Sequence, residues 1–434
     1  MRALTESLQK SGRSNSTWIE IRLDRLISNL NGLKTLAGPD TQIMAVVKAN
    51  AYGHGLIEIA KTLNGQVSYL GVANLYEALE LKEHGIETPI FLFGRLFGTE
   101  LQTALKNDLT LSVSDLEEAR EISSLAQTLQ QRAQVHIKID TGMGRLGIPG
   151  NEALSTIEKI AGLPGLVLDG IYTHFPTAER EDGFMQAQFQ DFCALIQALE
   201  GKGIRFRLKH AANSAASLKL VSHSLLSPLS CHSRVRQQSD GSVLRRKSGN
   251  PENKSQKKSM DPRLNRAGMT TFKGVTNLIR PGLILYGIYP DPSLKQTGLF
   301  HPILTLKSRI ILVKRLQAGD SVGYGRTFVA QAPSNVAILP IGYSHGYPFH
   351  LSNRSWAIYR GRKFPVAGRV SMDYIALDLG NTPAQVGEEV TLLGEEEGEA
   401  ITSEDLAAWA GTIPYEIVTR LSSRLPRLFI HPNS

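Results

Sequence analysis

The chain reads as an α/β protein, a (β/α)8 barrel of the TIM type followed by a mostly β C-terminal domain. Three observations predict this. Between residues 42 and 282, eight short apolar runs alternate with helical patterns. Several of those runs end in polar residues able to carry chemistry, always at the same end. After about residue 300 the helical alternation stops, and short strands with turn signals between them take over.

The eight candidate strands are 42–47, 68–73, 90–93, 109–113, 135–139, 167–173, 205–209 and 277–280. The first, Ile43-Met44-Ala45-Val46-Val47, is a continuous apolar run, as expected of a strand buried on both faces. Helical patterns fall between most strands. One spans Leu75–His84 with Gly85 as its C-terminal stop; another spans Asp115–Gln130 with Ser114 as its expected N-cap. Eight β-α units in about 240 residues fit a closed barrel better than a doubly wound sheet. The C-terminal runs lie in ILTLKSRIILVKRL, NVAILPIG, SWAIYRG, FPVAGRV, DYIALDL and EEVTLLG. A short helix over Leu406–Ala410 follows a Thr402-x-x-Asp405 capping box. The expected organisation is a tail over 1–16, a barrel over 17–295 and a β-rich domain over 296–434.

The net charge of +8 is not spread over the fold. Residues 231–266 hold ten Lys/Arg and three acids, a balance of +7, which leaves about +1 for the remainder. Residues 221–271 contain no Phe, Tyr or Trp and are rich in polar residues. Such a segment buries too little apolar surface to offset its ordering entropy, so a disordered basic insertion is expected. Without an aromatic for base stacking it makes a poor nucleic-acid reader, and no nucleic-acid partner is expected. No apolar run approaches ~20 residues, and the N-terminus lacks an apolar signal core, so neither membrane span nor secretion is expected. Two cysteines, Cys193 and Cys231, are too few for a disulfide framework or a zinc site, and no metal is expected. A reducing cytoplasm is the default compartment.

The chemistry-bearing residues follow strand ends. Strand one leads to Lys48, whose amine becomes a usable nucleophile and base if part-burial lowers its pKa. Strand five leads to Lys138, Asp140 and the loop to Arg145; strand six to His174; strand seven to His210, Asn213 and Ser214; strand eight to Arg280. A barrel gathers these ends around one mouth. Any one of them alone is more readily a packing or capping group. Asn213-Ser214 open a helix, and a helix N-terminus offers free N–H groups to an anion. Gly282 and Leu283 stand to add backbone N–H groups after strand eight.

The segment MAVVKANAYGHG resembles the cofactor-lysine segment of the alanine racemases. KIDTGMGRLG, THFPTAE, KHAANSAAS, IRPGLILYG, SVGYGRTF, LPIGYSHGY, GRVSMD and TIPYEI are also similar to that family's signatures, and they occur in its order. The resemblance covers nearly the whole chain outside the tail and the insertion. It implies pyridoxal 5′-phosphate (PLP) held by Lys48 as a Schiff base. It assigns Tyr52, Tyr415, Asn213, Ser214, Gly282 and Leu283 to the phosphate, His174 and His210 to the cofactor surroundings with His210 stacking by the ring, and Arg280 to the pyridine nitrogen. It implies two proton-transferring groups on opposite faces of the substrate, Lys48 and Tyr324, with His174 and Arg280 near the phenol. It places Arg145 and Met372 at the substrate and makes Lys138 a carbamylated lysine paired with Arg145. Tyr324 and Met372 come from the second subunit in that family, which implies a homodimer with shared sites. The implied reaction interconverts L- and D-alanine for peptidoglycan. A broad-specificity racemase, another barrel-type PLP enzyme such as a decarboxylase, a PLP-holding protein and a chain inactivated by its insertion are the alternatives. Two departures stand out: His345 occupies a position, near Tyr343, where an acid is expected, and His210 and Arg280 lie 70 positions apart where about 20 are expected.

Overall fold

The computed structural model describes residues 15–180, 182–224, 275–291, 295 and 298–431. The expected tail and basic insertion therefore lie almost wholly outside the described residues. Eight parallel strands close on themselves: Gln42–Val46, Tyr69–Val72, Ile90–Leu92, Thr110–Val113, Ala133–Asp140, Leu166–Tyr172, Leu208–His210 and Leu278–Ile279. Each pairs with the next, and the last pairs with the first through Leu278↔Gln42 and Ile279↔Ile43. Closure leaves no edge strand within the barrel.

Strands seven and eight differ from expectation. The seventh begins at Leu208 and takes in His210, and the eighth is two residues long. Asn277 accounts for part of this. Its side chain accepts from the Lys209 N–H at 2.9 Å and donates to the Arg207 carbonyl at 2.8 Å, serving backbone groups that a longer ladder would have used. Expected helix ends shift as well. Helix Leu116–Thr128 is capped by Asp115 and not by Ser114: the Asp115 carboxylate accepts from the Glu118 N–H at 2.7 Å, while the Ser114 N–H is held by the Glu118 side chain. The Thr402/Asp405 capping box is formed as read, opening helix Ser403–Ala410.

The barrel interior is a packed layer of Met44, Tyr69, Phe91, Tyr172, Leu208 and Leu278. The larger core lies outside the strands, under the helices and the second domain. That domain contains a sheet in which Thr17–Arg22 sits between Leu304–Arg309, antiparallel, and Arg427–Ile430, parallel. Residues 17–22 thus belong to the C-terminal sheet and not to the barrel that chain order predicts for them. Helix Leu23–Ala37 then crosses to the barrel. Its buried Asn29 donates to the carbonyls of Leu285 and His301 and accepts from the His301 N–H, so one amide ties the junction. Among the described residues no helix is long and apolar enough to cross a membrane.

Candidate active site

Strand one ends at Val46, and Lys48 opens a backbone turn of the opposite hand. Ala49, Asn50, Ala51 and Tyr52 have φ of 53°, 55°, 51° and 52°. Left-handed turns of L-residues cost roughly 1–2 kcal/mol per residue, so the surroundings must hold this one in place. Several groups do. Buried His54 shares its Nδ1–H between the Ala51 and Tyr52 carbonyls at 2.9 and 3.0 Å. The Asn50 side chain accepts from the Leu56 N–H at 2.8 Å. The guanidinium of Arg427, from the second domain, donates twice to the Gly53 carbonyl at 2.9 and 2.8 Å. Gly53 is required here: at φ 83°, a Cβ would lie 2.0 Å from the Val418 carbonyl oxygen.

Lys48 projects toward the Phe93 ring, 5.8 Å from its centroid. Burial lowers its pKa, and the nearby charges of Arg145 and Arg280 press it further down. The fifth strand carries His136, Lys138 and Asp140 at alternate positions, hence on one face. Lys138 is 5% exposed. Burial and then Arg145 bring its pKa down to about 8. Asp140 accepts from the N–H groups of Gly142, Met143 and Gly144, which folds the loop carrying exposed Arg145.

Arg280 is 4% exposed and heads a file of hydrogen-bonded groups. It donates to His210 Nδ1 at 2.7 Å; His210 Nε2 meets His136 Nδ1 at 2.9 Å; His136 Nε2 meets Asp169 at 3.3 Å. Arg207 closes the file with two bonds to Asp169, at 2.8 and 2.7 Å. Guanidinium has no acceptor, so His210 Nδ1 carries a lone pair and its proton sits on Nε2. By the same logic His136 is protonated on Nε2. Both rings are neutral, in keeping with the lowering of their pKa values by burial. Arg280 also donates to the Thr173 and Ala211 carbonyls at 2.8 and 3.1 Å. His174 Nδ1 lies 3.5 Å from Arg280, and burial with the surrounding cations lowers the His174 pKa to about 3. Tyr172 serves three neighbours: it stacks on His210 at 4.8 Å, and Arg280 and Lys138 lie over its ring at 5.2 and 5.9 Å.

This geometry corrects one expectation. His210 is completely buried, bonded through both nitrogens and covered by Tyr172, so it offers no free face for a cofactor ring to stack on. It positions Arg280. His136, Asp169 and Tyr172 escaped sequence reasoning. The alternation His136-x-Lys138 within an apolar strand was a usable signal, because it sends a polar group into the barrel interior.

A second cluster lies at the start of helix Ser214–Ser224. Asn213 caps it by accepting from the Ala216 N–H at 3.0 Å, and the Ser214 hydroxyl accepts from the Gly282 N–H at 2.9 Å. Tyr52 leans over Gly282 so closely that a Cβ there would be 2.7 Å from the phenol oxygen. Tyr415 lies 6.1 Å from Tyr52, ring to ring. Leu283 is buried and begins the short 3-10 turn that follows Gly282. Two phenols, a serine hydroxyl and a helix N-terminus are groups suited to an anion, and Tyr52 and Gly282 stand on the same loops as Lys48 and Arg280. These residues fit PLP.

Tyr324 and Met372 are not brought to this cluster. They are 72% and 54% exposed on the second domain, and Tyr343 and Tyr374 are exposed there too. His345 is partly buried, with Nδ1 accepting from the Gly342 N–H at 3.2 Å. An open groove lined by Ala49, Asn50, Tyr343, Ser344 and Arg420 runs beside the place where the left-handed turn meets the second domain.

Comparison with known proteins agrees with this geometry. Residues 21–228 match the family described as alanine racemase, N-terminal domain, and residues 303–429 match alanine racemase, C-terminal domain. The chain is 36% identical to an alanine racemase of Desulforamulus reducens, with 95% of this chain and 98% of the relative covered. It is 38% identical to one of Clostridium perfringens, with 95% of each covered. Among solved structures it resembles alanine racemase of Clostridium difficile 630 at a TM-score of 0.79 and 31% identity, covering 97% of each chain. A Bacillus anthracis alanine racemase with bound L-Ala-P matches at a TM-score of 0.79 and 30% identity, covering 97% of this chain and 96% of that one. With both halves matched in order and the lysine, arginine and anion cradle assembled at one barrel mouth, the chain belongs to the alanine racemase family.

Proposed function

We propose that this chain interconverts L- and D-alanine by a two-base transfer of the α-proton, with Lys48 and Tyr324 serving opposite faces. The observation that carries the reading is the convergence of half-buried Lys48, buried Arg280 and the Ser214/Gly282/Tyr52 cradle. When bound, PLP supplies an electron sink for the pair left behind as the α-proton departs. The protein supplies geometry and proton transfer. Lys48, its pKa lowered by burial and neighbouring cations, moves the proton on one face. Tyr324 moves it on the other. Arg280 is held by four acceptors, counting His174, and gives hydrogen bonds but no ready proton. A donor-only partner makes the electron sink weaker than a carboxylate partner would, which limits side reactions.

The exposure of Tyr324 and Met372 supports a homodimer in which each second domain completes the partner's barrel mouth. Arg145 and Met372 orient the substrate. For Lys138, a pKa near 8 leaves a useful fraction of neutral amine to add CO2, forming an N–C bond and releasing a proton. The carbamate then pairs with Arg145 where two cations would repel. The product D-alanine serves peptidoglycan, made from precursors in the cytoplasm.

The test is racemisation of L-alanine by the purified full chain with PLP. Lys48→Ala should abolish it. Tyr324→Phe should abolish racemisation yet keep α-hydrogen exchange from one enantiomer. Racemisation surviving Lys48→Ala would overturn the reading.

A further inference from the structure

We propose that Glu77 is a positioning residue for Lys48: one carboxylate oxygen locks the left-handed turn that starts at the lysine, and its charge faces an amine otherwise surrounded by cations. The proposal rests on the role of Lys48 given above.

Two helices of the barrel begin with the same device, and the comparison isolates what is special about one. At Leu116–Thr128, Asp115 accepts from the Glu118 N–H, and Glu118 accepts from the Ser114 N–H at 2.7 Å. At Leu75–Glu83, Asn74 accepts from the Glu77 N–H at 3.0 Å, and Glu77 Oε2 accepts from the Ala73 N–H at 2.9 Å. Each is a reciprocal cap that satisfies helix-terminal amides. Glu77 then goes further. Its Oε1 accepts from the Ala49 N–H at 2.5 Å, across 28 positions of sequence. Ala49 is the first residue of the left-handed turn and the direct neighbour of Lys48. One carboxylate therefore bridges the loops after the first and second strands at the point where the backbone reverses its hand.

The charge has a second effect. The groups facing Lys48 are Arg145, Arg280, Lys138 and His174, with Glu77 as the anion. Glu77 raises the lysine pKa against burial and against those cations. Without it the amine would be a weaker base.

The experiment uses the full-length holoenzyme and the variants Glu77→Gln, Glu77→Asp and Glu118→Gln. Hydrogen exchange of the peptide spanning residues 48–53 is followed alongside kcat, KM and the pH profile. In Glu77→Gln, that peptide should exchange about 10-fold faster or more, kcat should fall about 10-fold with KM within about twofold, and the limb set by Lys48 should move to lower pH. Glu77→Asp keeps the charge but is too short to serve both amides, so it should lose the exchange protection and keep the pH limb. Glu118→Gln should leave the exchange at 48–53, kcat, KM and the pH limb unmoved. Unchanged exchange at 48–53 in Glu77→Gln, or faster exchange there in Glu118→Gln to the same degree, overturns the proposal. If Glu77→Gln does not fold, Glu77→Asp decides by the same exchange criterion. Lys48→Ala separates the two claims. If it is inactive and Glu77→Gln matches the parent, only the role of Glu77 fails; if it racemises alanine, the role of Lys48 fails.

Discussion

Gly282→Ala is the sharpest single probe of the anion cradle. Gly282 has φ of −114°, outside the left-handed region, and the substitution is read through the contact its new Cβ makes. The new Cβ would lie 2.7 Å from the Tyr52 phenol oxygen and 3.1 Å from Cζ. Ordinary contact begins near 3.4 Å, so the phenol must retreat by 3.4 − 2.7, about 0.7 Å. Tyr52 has little room to do so. It is buried and packed between Tyr286, at 5.5 Å, and Tyr415, at 6.1 Å. Overpacking of this kind costs about 1–3 kcal/mol. Placed on the liganded state, that is a loss of roughly 5- to 150-fold in PLP affinity. Equilibrium dialysis against PLP measures it directly, with thermal unfolding of the same samples to locate any cost in the fold. Gly201→Ala is the control, since its added Cβ would meet nothing within 4 Å and its backbone is not left-handed. A Gly282→Ala protein that binds PLP as tightly as the parent and melts at the same temperature would refute the argument that Tyr52 and Gly282 form the cradle together.

Further outcomes follow from the same structure. Gly53→Ala should destabilise the chain by about 3 kcal/mol or more, through backbone strain plus collision with the Val418 carbonyl; Gly65→Ala, at φ 71° with open space, should cost about 1 kcal/mol, and urea unfolding distinguishes the two. His174 has its folded pKa depressed to about 3, so the unfolded chain binds its proton first as pH falls below the usual histidine value near 6.5; its contribution to stability is present above that value and is lost as pH falls through the folded pKa. Between about pH 6 and 4, His174→Gln should therefore flatten the stability profile by up to about 1.4 kcal/mol per pH unit, and an equal slope in both proteins would show that the ring is not buried neutral. Lys138 carbamylation predicts a carbonyl resonance in protein equilibrated with 13C-labelled CO2 that Lys138→Ala lacks.

Much of the fold was open to direct reading. The eight barrel strands announce themselves because strands covered on both faces are apolar throughout, and the C-terminal change in pattern marks a second domain. Lys48, Lys138, His174 and Arg280 were visible as polar residues following such runs. Small local contests went the other way. Asp115 displaced Ser114 as cap because its carboxylate reaches the Glu118 amide while the serine N–H is taken by Glu118 itself. The setting of His210 is not legible in the chain because its partners His136 and Arg280 lie 74 and 70 positions away, and only barrel closure brings them to hydrogen-bond distance.

The order of residues by itself determined the strand count, the family signatures and the types of group that reach the barrel mouth, since periodicity and strand-end position are local properties of the chain. Three-dimensional closure decided what those groups do to one another. It set the protonation of His210 and His136 by ending their file in two guanidinium groups, placed Thr17–Arg22 in the distant sheet, and joined Glu77 to the turn after Lys48. Each of these depends on through-space contact between segments far apart in sequence, where hydrogen-bond direction and burial outweigh any local preference.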